Sequence, residues 1–408
     1  MRKVRGVISV FHLVFLSFSI PLSQAFCPPS IRVLSKRRIS SNLVAMSCKN
    51  DRVAAVEARK EGLFLATPLI RSDPLSKLAQ TDVYLKLDLL QRSGSFKDRG
   101  MAHLCRTVLR QGIRNSEGVG DDGNKSIQTL ISSSGGNAGL AVASLGHKLH
   151  MSVTVVVPET TKSTVVEKLK SHDATVLIHG ENWNAADQLA RQMVSDDPTQ
   201  TSYYVSPYDN PLIWTGHSTL IDEIIHDLPQ ARTSTTLILS VGGGGLLCGV
   251  LEGIERHDLS GITVVTSETE GTASFASSWE AEELITLPRI ASVATSLGAL
   301  QVTPEALVRA QRHVLAGKHN GNNLMAATCT DAEAVQACLQ FAHDHRMLVE
   351  PACGAALAIL YTERLRTKYI QERNPSPQSG PIVIELCGGS GVTLELLQQW
   401  KQDFSLSK

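Results

Sequence analysis

The chain has 408 residues, with 39 Lys and Arg against 39 Asp and Glu, and 42% of its residues are hydrophobic. This composition excludes a wholly disordered or a collagen-like chain, and the length suits one large domain or two ordinary ones. The zero net charge argues against an electrostatic binder of nucleic acid. Eight of the 39 basic residues and none of the 39 acidic ones lie in 1–50, which leaves 31 basic and 39 acidic residues, a net charge of −8, in 51–408.

Residues 1–50 have the composition of a targeting presequence. Three basic residues among the first five precede an apolar run at 7–20, and small residues follow as far as Ala25. The run is short for a membrane span and typical of a secretory signal peptide, whereas the acid-free, Arg- and Ser-rich stretch from Phe26 onward is typical of a transit peptide. We therefore expect an organellar protein and favour a plastid, with a mitochondrial or cytoplasmic location as the alternative. No other stretch is apolar enough to span a bilayer, so no membrane contact is expected of the mature protein.

Eight cysteines are scattered along the chain without a CxxC pair, and no histidine cluster has the spacing of a zinc site. The pattern predicts buried free thiols rather than a disulfide framework, which suits a reducing compartment.

The body alternates short runs rich in Val, Ile and Leu with segments of helical pattern. Nearly continuous apolar runs are typical of strands buried on both faces, and their alternation with helices predicts open α/β sheets. The strand candidates are 83–87, 127–132, 152–157, 175–178, 237–240, 262–267 and 382–386. Ligands of such sheets bind beyond the carboxyl ends of the strands, where the glycine clusters of this chain lie. Two polar segments, 115–126 and 371–380, are predicted to be surface loops.

The first candidate site is the segment SGSFKDRG at 93–100, in which Lys97 lies between a glycine turn and an amphipathic run at 101–109. A helix start and burial both lower the pKa of a lysine, and a neutral amine is a good nucleophile toward an aldehyde. An ordinary exposed lysine after a turn is the alternative.

Two glycine-rich segments each follow a strand and open a helical run. In SSSGGNAG, 132–139, backbone N–H groups and Asn137 suit a substrate carboxylate, with a simple helix cap as the alternative. In SVGGGGLL, 240–247, four glycines allow backbone N–H groups to surround a phosphate, with a flexible turn as the alternative. The segment 240–247 has neither the lysine of a P-loop nor GxGxxG spacing, which disfavours a nucleotide-binding module.

The segment ELCGGSG, 385–391, ends the last apolar run and places Cys387 at the end of a strand. Such a thiol is by itself equally well explained as a small buried hydrophobe. Taken together, however, a lysine nucleophile, a carboxylate loop, a phosphate-binding loop and a group at a strand end are what pyridoxal 5′-phosphate needs to act on an amino acid.

From about residue 64 to residue 400 the sequence resembles the fold-type-II pyridoxal-phosphate enzymes, and within them the serine/threonine dehydratases, with most similarity to the eukaryotic L-serine dehydratases. Besides the four segments above, the matching blocks are TPL at 67–69, PYDNPLIWTGH at 207–217, SVA at 292–294 and LVEPACGAA at 348–356. The resemblance implies a tryptophan-synthase-β-like fold of two open, mostly parallel sheets flanked by helices. It also implies a large cofactor-binding domain, 57–87 plus 213–402, and a small substrate-loop domain, 88–212.

The resemblance also implies roles for individual residues. Lys97 is expected to bind the cofactor covalently and to take the Cα proton of the substrate. The cofactor-binding residues that it implies are Phe96, Lys97, Asn137, Gly242, Gly243, Gly244, Gly245, Leu246 and Cys387. The substrate-binding residues that it implies are Ser134, Gly135 and Asn137. A potassium site is expected at Glu268, Ser274 and the backbone around Leu297, although Thr272 and Ser296 stand where alanine is expected.

The activity implied is that of an L-serine dehydratase (L-serine ammonia-lyase), which forms pyruvate and ammonia, with L-threonine as a second substrate that gives 2-oxobutanoate. A neutral thiol at Cys387, unlike an aspartate, does not keep the pyridine nitrogen protonated, so loss of the β-hydroxyl should outrun reprotonation at Cα. No histidine is expected near that hydroxyl, and the cofactor phosphate is the expected acid. The family tends to form dimers, so a homodimer is expected.

Three other functions stay open: threonine dehydratase as the main activity, a serine racemase-like enzyme, and an amino-acid sensor without turnover. Racemases of this group carry a serine base where this chain has Gly135, which disfavours racemisation. Biosynthetic threonine deaminases append a regulatory domain, and only eight residues follow Trp400. An intact Lys97, Asn137 and glycine loop disfavour the sensor.

Overall fold

In the computed structural model, residues 55–111, 126–372 and 380–406 are described. The chain divides into a unit of Met1–Ala45, which lies outside the described residues, and a unit of Met46–Lys408, to which every element below belongs. The predicted presequence and most of the two predicted surface loops also lie outside the described residues.

The larger sheet has six strands in the order β1-β2-β10-β7-β8-β9, and only the pair β1–β2 is antiparallel. Its strands are β1 Leu69–Arg71, β2 Val83–Lys86, β7 Thr236–Ser240, β8 Thr263–Thr269, β9 Asn323–Cys329 and β10 Ile382–Glu385.

The smaller sheet has four parallel strands in the order β5-β4-β3-β6. Its strands are β3 Thr129–Ser132, β4 Ser152–Val157, β5 Thr175–Ile178 and β6 Ser202–Val205. All four fall inside 88–212, and the strands of the larger sheet fall inside 57–87 or 213–402. The limits of the two domains stay a prediction.

Helices cover both sheets. The first described helix, α1, comprises residues 55–60. The other α-helices are α2 Asp73–Ala79, α3 Lys97–Gln111, α4 Asn137–Leu149, α5 Ser163–Lys170, α6 Trp183–Ser195, α7 Pro211–Asp227, α8 Gly245–Arg256, α9 Ser274–Ala281, α10 Pro304–Asn320, α11 Asp331–His345, α12 Pro351–Tyr361, α13 Glu363–Arg366 and α14 Leu394–Asp403. Among the described helices, none is long and apolar enough to cross a membrane.

The core lies on both faces of the larger sheet. Along β7, Leu237 and Leu239 pack into the cluster shared with the smaller sheet, while Ile238 packs into a second cluster around α12. This alternation follows from the two-residue period of a strand, whose successive side chains point to opposite faces. Helix α12 is buried from Pro351 to Leu360, which explains why its sequence is apolar all round.

The parallel strands bring the chemistry-bearing segments to the carboxyl ends of the sheets. The glycine-rich segments connect β3 to α4 and β7 to α8, and Cys387 follows β10 by two residues. All seven strand candidates are strands, and the predicted fold class, two open and mostly parallel sheets flanked by helices, is confirmed.

Candidate active site

Lys97 is the first residue of α3 and its side chain is partly buried. Its Nζ donates a hydrogen bond to the carbonyl oxygen of Pro207 at 2.6 Å and lies 4.9 Å from the centre of the Phe96 ring. Burial lowers the pKa of Lys97 to about 8, and Cys387 lies close enough to interact with the amine. The alternative of an ordinary exposed lysine is therefore wrong.

Backbone contacts join the Lys97 segment to the Cys387 segment. Ser95 forms a bridge with Gly388, and the N–H of Phe96 donates to the carbonyl oxygen of Cys387 at 2.9 Å. Two segments almost 300 positions apart in sequence thus lie side by side at the end of the larger sheet.

Cys387 is a buried neutral thiol. The thiol of Cys353, through a hydrogen bond, and burial raise the pKa of Cys387 well above its usual value, and the neighbouring Glu385 adds to the shift. All six cysteines of the described residues are free and buried, as the sequence predicts.

The loop between β3 and α4 contains Ser134 and Gly135, both partly buried, and Gly136 precedes the first turn of α4 without a side-chain cap. Asn137, the first residue of α4, forms hydrogen bonds with two residues that lie beside the larger sheet. Its Nδ2 donates to Glu350 Oε1 at 2.7 Å, and its Oδ1 accepts from the hydroxyl of Ser390.

The four glycines between β7 and α8 are closely packed, so the alternative of a flexible turn is wrong. A Cβ built on Gly243 lies 2.3 Å from Tyr208 Cγ, and Gly244 has a φ of +88°, which side-chain-bearing residues rarely adopt. Gly242 lies against the backbone of Leu297. Leu246 is buried in the first turn of α8, where the backbone N–H groups of the helix start are available to an anion.

Glu268 is in β8, and its side chain extends to the start of α9. Its carboxylate accepts hydrogen bonds from the N–H groups of Phe275 at 2.9 Å and Ala276 at 2.7 Å. Burial raises the pKa of Glu268 to about 8, against these hydrogen bonds. The hydroxyl oxygen of Ser274 is buried and has no hydrogen-bond partner among the described residues. Thr272, at the nearby position where alanine is expected, pairs with Thr269 at 2.8 Å.

Several residues contact the candidate site without having been assigned a role from the sequence: Pro207, Tyr208, His217, Glu350 and Ser390. His217 is fully buried, and its ring centre lies 4.9 Å from that of Phe96. The expectation that no histidine lies near the β-hydroxyl of the substrate stays a prediction. The blocks at 207–217 and 348–356, quoted above for the resemblance, are the sequence signal that could have indicated the first four.

A partly buried lysine of lowered pKa, a closely packed glycine loop at a helix start and a neutral thiol at the end of a strand define an enzyme of the pyridoxal-phosphate class. A family profile described as "Pyridoxal-phosphate dependent enzyme" matches residues 61–388, and the chain belongs to this family.

Curated relatives and a solved structure agree with this membership. The chain is 38% identical over 350 residues to "L-serine dehydratase/L-threonine deaminase" of Mus musculus, covering 86% of this chain and 98% of the relative. It is 36% identical over 340 residues to "L-serine dehydratase" of Dictyostelium discoideum, covering 81% and 90%. Its fold is similar to the crystal structure of a fungal L-serine ammonia-lyase from Rhizomucor miehei, with a TM-score of 0.71, 30% identity, and coverage of 84% of this chain and 99% of that one.

Proposed function

We propose that this protein is an L-serine ammonia-lyase that forms pyruvate and ammonia from L-serine and also converts L-threonine to 2-oxobutanoate. The observation that carries the proposal is the pair formed by Lys97, whose pKa is lowered to about 8, and the neighbouring neutral thiol of Cys387. The curated relatives whose names include L-serine dehydratase, matched over 81% or more of this chain, support it.

The residues present fit pyridoxal phosphate. The N–H groups of Gly242–Gly245 and of Leu246 suit the phosphate, because the four glycines carry no side chains of their own and the loop precedes a helix start. Phe96 lies beside Lys97, and Cys387 suits the pyridine nitrogen. When bound, the cofactor supplies an aldehyde for the lysine and a conjugated ring that withdraws electrons from Cα.

The side chains of this protein then handle the protons. As a neutral amine, Lys97 accepts the Cα proton of the substrate, and its hydrogen bond to Pro207 directs the nitrogen. The thiol of Cys387 keeps its proton and so does not protonate the ring nitrogen. A neutral ring nitrogen favours loss of the β-hydroxyl over return of the proton to Cα. His217 is completely buried beneath Phe96, so it offers no acid at the surface of the site.

The decisive experiment is the release of 2-oxo acid from the purified protein with pyridoxal phosphate and potassium, with L-serine, L-threonine and D-serine in parallel. The proposal expects pyruvate from L-serine with the highest kcat/KM, and no turnover by Lys97→Ala. A higher kcat/KM for L-threonine would favour threonine dehydratase as the main activity. Bound cofactor without product from any substrate would favour a sensor.

A potassium ion at Glu268 and Ser274 belongs to the same proposal. A buried carboxylate beside an unpartnered buried hydroxyl offers the oxygen ligands that a hard cation prefers. We expect potassium chloride to raise kcat relative to lithium chloride at equal ionic strength. The same response in the Glu268→Gln variant would contradict the site.

A homodimer and a plastid location complete the proposal. The dimer rests on the family resemblance, and light scattering of the purified protein tests it. The location rests on the composition of residues 1–50, which combine a signal-like apolar run with an acid-free, Arg- and Ser-rich stretch. A fluorescent fusion to 1–50 should enter plastids, and mitochondrial or cytoplasmic fluorescence would contradict it.

A further inference from the structure

Glu350 lies where loops of the two sheets meet. It immediately precedes α12, and only 5% of its surface is exposed. Its Oε1 accepts from Asn137 Nδ2 at 2.7 Å, and its carboxylate also accepts from the hydroxyl of Ser296 and the backbone N–H of Gly391. A buried carboxylate is thus surrounded by three donors, one of which is a candidate ligand-binding side chain.

The amide of Asn137 is fixed at both of its ends. Nδ2 donates to Glu350, while Oδ1 accepts from Ser390. Asn137 begins α4, beside the smaller sheet, whereas Glu350 and Ser390 lie beside the larger sheet. Because an ionised carboxylate can only accept hydrogen bonds, Glu350 decides which way round the amide lies.

We propose that Glu350 is a positioning residue for Asn137. By accepting one hydrogen of Nδ2, it leaves the second hydrogen to be donated to an anionic oxygen of the bound cofactor or substrate. An amide turned the other way presents Oδ1, which repels such an oxygen. The inference rests on the proposed function, because that function gives Asn137 an anionic ligand to contact.

One cationic side chain, that of Lys168, lies near Glu350. Burial raises its pKa, whereas the hydrogen bonds from Ser296 and Asn137 and the charge of Lys168 lower it. The titratable groups that face it are Lys168 on α5 and the thiols of Cys338 on α11 and Cys387, and burial contributes to raising the pKa of both thiols. Once protonated, Glu350 can donate to Oδ1 and turn the amide, so activity should fall in acid as Glu350 takes up its proton.

A double-mutant cycle tests whether Glu350 acts through Asn137. Glu350→Ala should lower kcat/KM for L-serine roughly tenfold, within the range of couplings between side chains that share a hydrogen bond. Because Glu350 acts only through Asn137, the double variant should be no less active than Asn137→Ala. Losses that multiply in the double variant would overturn the proposal.

A conservative variant and a structural control separate positioning from stability. Glu350→Gln keeps the shape of the side chain, but its NH₂ must face another donor, either Asn137 Nδ2 or the N–H of Gly391. The kcat/KM of this variant should fall, and its pH profile should lose the decrease in acid that titration of Glu350 causes. Wild-type kinetics in this variant would contradict the proposal. Glu333→Gln is the control, because Glu333 accepts from the N–H of Thr330 at the start of α11 and pairs with Arg364; it should lower Tm but leave kcat/KM unchanged.

The same cycle on the cofactor separates this inference from the proposed function. Titrating the four proteins, freed of cofactor, with pyridoxal phosphate and following the visible absorbance gives a Kd for each. Coupling in Kd assigns the anionic oxygen to the cofactor, and coupling confined to KM assigns it to the substrate carboxylate. If L-serine is not turned over at all, the function fails while the Kd cycle still decides the coupling. No coupling in either quantity overturns the inference.

Discussion

The ring of Tyr208 occupies the space in which a side chain at Gly243 would stand, since a Cβ built there lies 2.3 Å from Tyr208 Cγ. Tyr208 follows β6 of the smaller sheet, and its carbonyl oxygen accepts a hydrogen bond from Trp214 Nε1 at 2.9 Å. The glycine loop of the larger sheet is therefore shaped by a segment that comes from the smaller one.

Replacing Gly243 should weaken cofactor binding. In Gly243→Ala the added methyl group displaces either Tyr208 or the loop, so the N–H groups no longer converge on one phosphate. We expect the Kd for pyridoxal phosphate to rise at least tenfold, as measured by absorbance titration, because losing about 1.4 kcal/mol of binding free energy is enough for this. Gly253→Ala, in α8, is the control: its Cβ meets Ile221 of α7 at 2.7 Å, so it should lower Tm without raising Kd.

The lowered pKa of Lys97 should appear in the rate at which the protein takes up its cofactor. Only the neutral amine attacks an aldehyde, so below pH 8 the rate should rise about tenfold per pH unit, and it should level off above a pKa of about 8. Stopped-flow measurement of the visible band after mixing with pyridoxal phosphate gives this profile. A rate still climbing steeply at pH 10, as expected of an exposed lysine, would refute it.

A serine at position 135 should introduce racemisation. Its hydroxyl can exchange a proton on the face opposite Lys97, which Gly135 cannot do. Gly135→Ala is the matched control, because in both variants the new Cβ lies 3.2 Å from Val157 Cγ1 and 3.4 Å from Thr161 Cγ2. Chiral chromatography should find more D-serine per pyruvate in Gly135→Ser alone. If neither variant forms D-serine, a missing base does not explain the expected weak racemisation.

A buried network of four charges lies behind the start of α3. Arg99 binds Asp88 through two hydrogen bonds of 2.7 Å and Glu223 through bonds of 2.8 and 2.7 Å, and Lys86 reaches Glu223 at 2.7 Å. The two positive and two negative buried charges balance, and the partly exposed Arg59 lies 3.8 Å from Glu223. Burial by itself raises the pKa of Glu223, but the charge and hydrogen bonds of Arg99, helped by Lys86, outweigh burial and lower it.

Glu223→Gln should therefore unbalance the network and cost about 3–5 kcal/mol in the free energy of unfolding. The contribution of Glu223 is complete above its unfolded pKa of about 4.3 and is lost as the pH falls through the lower folded pKa, so the variant should lose less stability in acid than the wild type. Urea denaturation at several pH values measures both effects. Glu255→Gln, whose partner Arg312 is exposed and 3.9 Å away, should cost at most about 1 kcal/mol; an equal loss in both variants would contradict the role of burial.

The strands that sequence reasoning missed share one physical property. β1, β6 and β9 are all edge strands, and each is only partly buried along its length. Continuous runs of Val, Ile and Leu indicate strands buried on both faces, and β1, β6 and β9 contain no run of three such residues. β5, also an edge strand, was found because its four residues TVLI form an apolar run despite their exposure.

The candidate site was predictable where its chemistry is local in sequence. Lys97, the two glycine loops and Cys387 stand in short segments whose residue types suggest their chemistry. Glu350 could not be assigned a role in this way, because it meets Asn137 across 213 positions and the contact depends on how the two sheets are arranged. The close packing of the glycine loop was equally hidden, since it depends on the position of Tyr208.

The position of β10 between β2 and β7 has a consequence for biosynthesis. The strands of the smaller sheet, 129–205, leave the ribosome long before residues 382–385, and until then β2 has no partner on the side that will face β7. Domains fold as units during synthesis. The smaller sheet can therefore assemble while the strands β1 and β2 of the larger sheet are still separate from β7, β8 and β9. Cys387 arrives with the strand that closes the gap. It also brings the carbonyl oxygen that accepts from the N–H of Phe96, so the backbone beside Lys97 gains this hydrogen bond only when the last strand has been made.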